Sequence, residues 1–336
     1  MRDINNKLKM KFYLFIFILF LTTISSNKTS KRILVESTLT KIKENASWNA
    51  YELHENPFMS LTKKQIKQMF GVQLTYTKIT KPKLMMLLDS DDHYATFDVP
   101  ENFDARNHWP ECVSEIRQQE HCGSCWAFSA SSTLSDRFCI ASKGQIRTKL
   151  SPQYMLSCDN SNMACKGGLL DKAWKFLELS GTTKDSCTPY VSGDGNFVPK
   201  CNNSCDSKSI EKPIFYKVEK DSSKPLNCTL QIQRELMENG PVQTGFEVYE
   251  DFLHYKSGIY KYTDGIILGG HAVKIVGWGK EGAVNYWIVA NSWGPKWGEK
   301  GYFRIAFGEC TFEENAYVGL PDLKSIKTTT VRDFLK

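Results

Sequence analysis

Gln119-Glu120-His121-Cys122-Gly123-Ser124-Cys125-Trp126-Ala127-Phe128 decides how this 336-residue chain is read. Cys125 stands where a helical pattern begins, with a glutamine six residues before it. Two further strings follow in order, Gly269-Gly270-His271-Ala272 and Ala290-Asn291-Ser292-Trp293-Gly294. A cysteine, a histidine and an asparagine far apart in sequence make a nucleophilic set only if the fold gathers them. Any one of the strings could arise by chance, but three in this order point to one chemistry.

Composition sets the outer limits. Hydrophobic residues are 41% and charged residues 24%, which suits an ordinary globular chain, and the length leaves room for two domains. The formal charge of +6 comes from scattered lysines. No basic run is interleaved with aromatics, so nucleic acid is not an expected partner.

The N-terminus indicates a route. Lys7, Lys9 and Lys11 precede an apolar run from Phe12 to Leu21, and small residues follow. That is the layout of a signal peptide, expected over 1–26. The run is too short to span roughly 30 Å of hydrocarbon, so no stable membrane anchor is expected. In an oxidising compartment most of the eleven cysteines pair, and an odd number leaves at least one thiol. Cys125 is the candidate for that thiol. Asn45, Asn202 and Asn227 open glycosylation sequons that fit the same route.

Residues 27–98 contain no cysteine, and every cysteine lies beyond the change of texture at Val99-Pro100-Glu101-Asn102. A removable pro-segment is expected over 27–98, with short helices at 44–48 and 60–70 and an acidic linker at 89–93. The mature chain is then 99–336. Its helical half runs over about 99–210, its β-rich half over about 211–321, and 322–336 is a loose tail. The patterns predict helices over 124–142, 151–157, 170–179 and 229–239, the second with Pro152 at its first position. Trp126, Phe128, Leu134 and Phe138 are the apolar candidates on the first of these. Strands are expected over 242–248, 271–277, 285–291 and 302–307.

A thiol attacks only as thiolate. Its free pKa near 8.5 falls at a helix N-terminus or beside an imidazolium. Cys125 in the first turn of its helix meets the first condition, and His271 would supply the second and later protonate the leaving amine. Asn291 can fix the imidazole by accepting its other N–H, with Trp293 shielding the pair from water. Gln119 and the Cys125 backbone N–H are the candidate oxyanion donors. The reaction would be acyl transfer through a thioester to water. No metal or cofactor is expected.

On these strings the chain resembles the papain-like cysteine proteases, and within them cathepsin B. The likeness covers about 99–321 and includes Phe103-Asp104-Ala105-Arg106, Trp109-Pro110-Glu111-Cys112, Ser135-Asp136-Arg137-Phe138-Cys139, Cys165-Lys166-Gly167-Gly168 and Gly277-Trp278-Gly279. Phe70-Gly71 is similar to the family's short pro-segment. The resemblance implies an α+β papain-like fold, with a left helical domain, a right β-barrel domain and an active-site cleft between them. It implies a precursor whose own pro-segment blocks that cleft, polypeptide substrates, cystatin-like inhibitors, a monomer, and an acidic lysosomal or secreted setting. It implies disulfides Cys112–Cys139, Cys122–Cys165, Cys158–Cys201 and Cys187–Cys205, leaving the pairing of Cys228 and Cys310 open. It implies that Gly167 and Gly168 offer backbone to an extended substrate, and that Leu169, Leu170, Gly245, Ala272 and Asn315 line the second specificity pocket.

The chain departs from the family in three places. The stretch between Cys187 and Cys201 is short and holds no histidine, whereas cathepsin B carries two adjacent histidines on a longer loop that receive a substrate's C-terminal carboxylate. An open cleft and endopeptidase action are therefore expected. Asn315 stands where the family has a glutamate, with Glu313 and Glu314 beside it, so preference for arginine should give way to apolar residues. Glu120 and His121 replace small residues beside Gln119. Cys122 and Cys125 also form a Cys-x-x-Cys motif, but a redox or zinc reading leaves Trp126, His271 and Asn291 unexplained. A papain-like binding protein without activity and a peptide ligase using the same acyl-enzyme are the alternatives kept.

Overall fold

The computed structural model describes residues 34, 36–74, 98–206 and 212–326. The expected signal peptide, the acidic linker and the end of the tail lie outside them. In chain order the helices are α1 (Glu36–Asn45), α2 (Lys63–Gln68), α3 (Ala105–His108), α4 (Cys125–Ala141), α5 (Pro152–Cys158), α6 (Leu170–Leu179) and α7 (Thr229–Asn239). The strands are β1 (Asn49–Ala50), β2 (Phe103–Asp104), β3 (Lys224–Leu226), β4 (Val242–Tyr249), β5 (Tyr255–Ser257), β6 (Ile259–Tyr260), β7 (Ile267–Glu281), β8 (Val284–Ala290), β9 (Tyr302–Ala306) and β10 (Ala316–Val318).

The expected helix at 44–48 is displaced. Helix α1 occupies Glu36–Asn45 and the chain then turns into β1, because Trp48 is buried against the Tyr255 and Tyr260 rings rather than against its own helix. Helix α4 buries far more than its expected apolar candidates Trp126, Phe128, Leu134 and Phe138. Every residue from Cys125 to Cys139 is buried, since the helix is wedged between the other left-half helices and the sheet. Serines make that possible: Ser129, Ser131 and Ser135 are small and return their hydroxyls to carbonyls one turn back.

In the β-rich half β5 pairs with β1 in a two-stranded sheet, and the other strands form one sheet ordered β3-β10-β4-β7-β8-β9-β6, with β2 added on β7. Its end strands β3 and β6 do not pair, so the expected barrel is not closed. Both ends are strands of two or three residues, too short to zip the edges together. Strand β7 is the spine. Alternation along it sends Val273 and Ile275 into the sheet's own core and Ala272 into the core around α4.

Two large cores result. One joins the sheet to the N-terminal segment through Ile42, Trp48, Phe58, Ile66 and Met69. The other surrounds α4, α5 and α6 and, among the described residues of that segment, takes only Val72 as a buried member. Disulfides Cys112–Cys139, Cys122–Cys165, Cys158–Cys201 and Cys187–Cys205 all lie in the left half. Cys125, Cys228 and Cys310 are free.

Candidate active site

Helix α4 begins on Cys125, so the peptide dipoles of its first turn point at the sulfur. The Cys122–Cys165 bridge ties the preceding loop to the Gly167-Gly168 wall. Across the cleft, His271 lies on β7 opposite Phe246 of β4. Asn291 follows the last residue of β8.

The imidazole's tautomer follows from its neighbours. Asn291 Oδ1 accepts the Ser292 backbone N–H at 2.8 Å, which fixes that atom as the oxygen. The same oxygen lies 2.8 Å from His271 Nε2, so Nε2 carries the proton. Among the described residues Nδ1 has no hydrogen-bond partner. Trp293 stacks on the ring at 4.7 Å between centroids, and Phe70 meets it edge-on at 6.2 Å.

Sequence reasoning missed Ser292 as a link. Its hydroxyl donates to Gln119 Oε1 at 2.6 Å while its N–H fixes Asn291. It sits inside the Asn-Ser-Trp string, yet nothing in the string says which way a serine turns.

The cleft is filled by the chain's own residues 69–74. Gln119 Nε2 donates to the Met69 carbonyl at 2.9 Å and to the Cys122 carbonyl at 2.8 Å. The Gly71 carbonyl accepts from Gly168 N at 2.7 Å, Val72 N donates to Gly270 O at 3.1 Å, and Gln73 N donates to Gly168 O at 3.3 Å. A Cβ on Gly167, whose φ is +115°, would lie 2.7 Å from the Gly71 oxygen. Leu74 enters the wall of Leu170 and Gly245: a Cβ on Gly245 would meet Leu74 at 3.0 Å and Leu170 at 3.5 Å. Ala272 is buried in the same core as Leu170 and Val72. Leu169 is half-buried at the start of α6, its N–H held by Asn162.

Asn315 is buried beside this wall. Its carbonyl accepts Gly245 N at 3.3 Å, and its side-chain Nδ2 has no partner. Glu313 is turned away, accepting Trp287 Nε1 at 2.7 Å and Gly308 N at 3.0 Å, and Glu314 is exposed. Neither acidic neighbour takes the place of Asn315. Over 188–200 the loop is held to α5, where Gln153 Oε1 accepts Val191 N and Ser192 N. It meets the cleft wall through Gly193, whose carbonyl accepts His121 N at 2.9 Å.

Coverage changes the charge state that sequence alone predicts. Burial pushes the Cys125 thiol up to about 11, although backbone N–H groups of Ala272, Gly71, Trp126 and Cys125 surround the sulfur and pull the other way. Burial likewise pulls His271 down to about 4, against the opposing bond to Asn291. Under this cover both shifts favour a neutral thiol and a neutral imidazole over the expected ion pair.

A family model for papain family cysteine protease matches residues 99–320. Cathepsin B-like CP2 of Giardia intestinalis is 44% identical over 229 residues, covering 67% of this chain and 75% of the relative. Cathepsin B-like cysteine proteinase 5 of Caenorhabditis elegans is 42% identical over 262 residues, covering 67% and 75%. Among solved structures, proCathepsin B S9 from Trypanosoma congolense aligns with a TM-score of 0.73 at 32% identity, over 86% of this chain and 99% of that one. The chain belongs to the papain family of cysteine proteases and is cathepsin B-like.

Proposed function

We propose that the chain is an endopeptidase made as a zymogen, with Cys125 as nucleophile, His271 as acid and base, and Asn291 as the group that orients the imidazole. The carrying observation is the cleft arrangement, in which the Met69 carbonyl takes the Gln119 donor while the Gly71 N–H faces the sulfur. A carbonyl carbon at the sulfur would be attacked, whereas an amide N–H is not an electrophile. Residues 27–98 then act as an inhibitor that occupies the machinery without being its substrate.

Once the segment leaves, water and substrate reach the pair. A proton moves from the thiol to His271 Nδ1, and the thiolate adds to the scissile carbonyl. The oxyanion is held by Gln119 Nε2 and the Cys125 N–H. Collapse breaks the C–N bond as Nδ1 protonates the leaving amine, giving a thioester. Water, deprotonated by Nδ1, then adds to the thioester and releases the acid and the thiol. One oxyanion donor is worth about 3–4 kcal/mol, so Gln119→Ala should lower kcat roughly 10²–10³-fold. Cys125→Ala should abolish turnover.

Open-cleft action is supported by the loop over 188–200 being held to α5. Asn315 in place of a carboxylate supports apolar side chains in the second pocket, as Leu74 already illustrates. The four disulfides support the secretory pathway, to an acidic compartment or for export. The protein is further proposed to act as a monomer and to be open to cystatin-like inhibitors.

The test is cleavage of two peptide series by the acid-processed protein, one with free C-termini and one longer and amidated. Internal cuts in both, blocked by a thiol-directed epoxide, are expected. Loss of dipeptides from free C-termini alone would overturn the endopeptidase reading.

A further inference from the structure

Lys274 and Asp136 carry opposite charges into the interface between α4 and β7, where their side chains are 3% and 0% exposed. The acyl-transfer scheme uses neither. Lys274 Nζ donates to Asp136 Oδ2 at 2.5 Å, Ser132 Oγ at 2.8 Å and Ser114 Oγ at 2.9 Å, which satisfies all three ammonium hydrogens. Asp136 Oδ1 accepts Ser114 N at 2.9 Å. The cluster is closed, and it links two particular elements. Asp136 is three turns along the helix that starts at Cys125, and Lys274 is three residues along the strand from His271.

Strand alternation explains the reach. Ala272 and Lys274 share the face of β7 that packs on α4, while His271 belongs to the opposite face. Between this cluster and Asn291 lies a cavity of about 20 Å³, lined among others by Ser129, Ser132, Lys274, Asn291 and Ser292. Apolar packing is therefore incomplete where helix and strand must keep their spacing. The other charged residues at the cavity are bonded elsewhere, Glu115 to Lys149 and Arg117 to Asp185. A buried ion pair is a poor device for stability, since apolar residues of the same volume often serve as well. Its bonds have directions and lengths, however, and apolar contacts do not.

We infer that Lys274 and Asp136 form a positioning pair that sets the spacing of α4 from β7, and through it the register of Cys125 against His271. This rests on the proposed roles of those two residues. A misplacement of about 1 Å between reacting groups can cost on the order of 100-fold in rate.

The test uses the full chain, acid-processed, with working sites counted by titration with a thiol-directed epoxide. Lys274→Gln with Asp136→Asn removes both charges and keeps hydrogen-bonding groups in place. Per titrated site, kcat should fall roughly 10–100-fold with KM within about threefold. The pH profile of Cys125 alkylation should shift with it, and Lys274→Arg, which keeps the charge but changes the reach and direction of its donors, should fall between the parent and the paired variant. If the paired variant does not fold, Asp136→Glu keeps both charges, lengthens the tie by one methylene, and is read the same way. Unchanged kcat per titrated site with an unmoved alkylation profile would overturn the proposal, whatever happens to thermal stability. A Cys125→Ala control that retained turnover would instead sink the assignment of the nucleophile.

Discussion

A side chain at position 71 would have nowhere to go. A Cβ there would lie 1.9 Å from the Gly123 carbonyl oxygen, a backbone atom one disulfide-tied turn from the nucleophile. Gly71→Ala should therefore lift the segment off the sulfur. The expected result is at least a 100-fold weaker inhibition constant for a peptide of residues 36–74 against the processed enzyme, and unchanged inhibition would contradict this close fit. The covered thiol makes a second prediction. With Cys125 raised to about 11, alkylation of the intact precursor, mapped to this residue by mass spectrometry, should be slow from pH 5 to 8 and climb only toward strong alkali. Removal of the segment should restore fast reaction at acid pH. Cys125, His271, Asn291 and Gln119 were candidates on sequence alone because each lies in a string whose residue types fit one chemistry. Ser292, Lys274 and Asp136 were not, because their roles depend on which side chains the fold brings within 3 Å. No local pattern carries that information.

At the level of elements, the starts of α4, α5, α6 and α7 were readable to within a residue, since capping is local chemistry, whereas α1 begins well before the expected 44. Helix α2 opens with a reciprocal box in which Thr62 accepts Gln65 N and Gln65 accepts Thr62 N. Loss of such a cap costs about 1 kcal/mol. Because the segment must be folded to dock, Thr62→Ala should weaken its inhibition roughly fivefold by the same principle. An unchanged constant would mean that α2 persists in the free segment without its cap. Strand β7 was harder to read. It spans Ile267–Glu281 where the pattern predicts 271–277, because Gly269, Gly270, Gly277 and Gly279 have no side chain with which to show alternation. Glycine is needed there for close approach, as a Cβ on Gly270 would lie 2.4 Å from the Val72 carbonyl. For helix α4 the pattern offered Trp126, Phe128, Leu134 and Phe138 as apolar candidates, whereas burial on every side made its serines the means of fitting.

Across the whole molecule, the α+β division was readable from the order of helix and strand patterns, but the openness of the sheet was not. Closure depends on whether two short end strands meet, a relation between distant segments. The same scale governs pH. Under the segment His271 is held near 4, below its ordinary 6.5, so the covered state favours the neutral ring. That contribution is full above about pH 6.5 and is lost as pH falls through 4. In a Cys125→Ala enzyme, where the uncovered ring titrates without a thiol beside it, binding of the 36–74 peptide should weaken by up to roughly 300-fold across that window. A constant that stays flat from pH 7 to 4 would contradict it. Asp251 works against this trend. Burial raises it to about 6, so its share of fold stability is present below about pH 4 and fades as pH rises through 6.

The crosslinks have a further bearing on a protein that must survive its own copies. Cys158–Cys201 and Cys187–Cys205 enclose the long loops of the left half, while the sheet holds none among the described residues. A cut between residues 188 and 200 leaves both new ends covalently attached to one body. Nicked molecules should run as one band on a non-reducing gel and as two after reduction, and they should stay active. Damage in this region would thus be carried as a scar, without shedding a fragment.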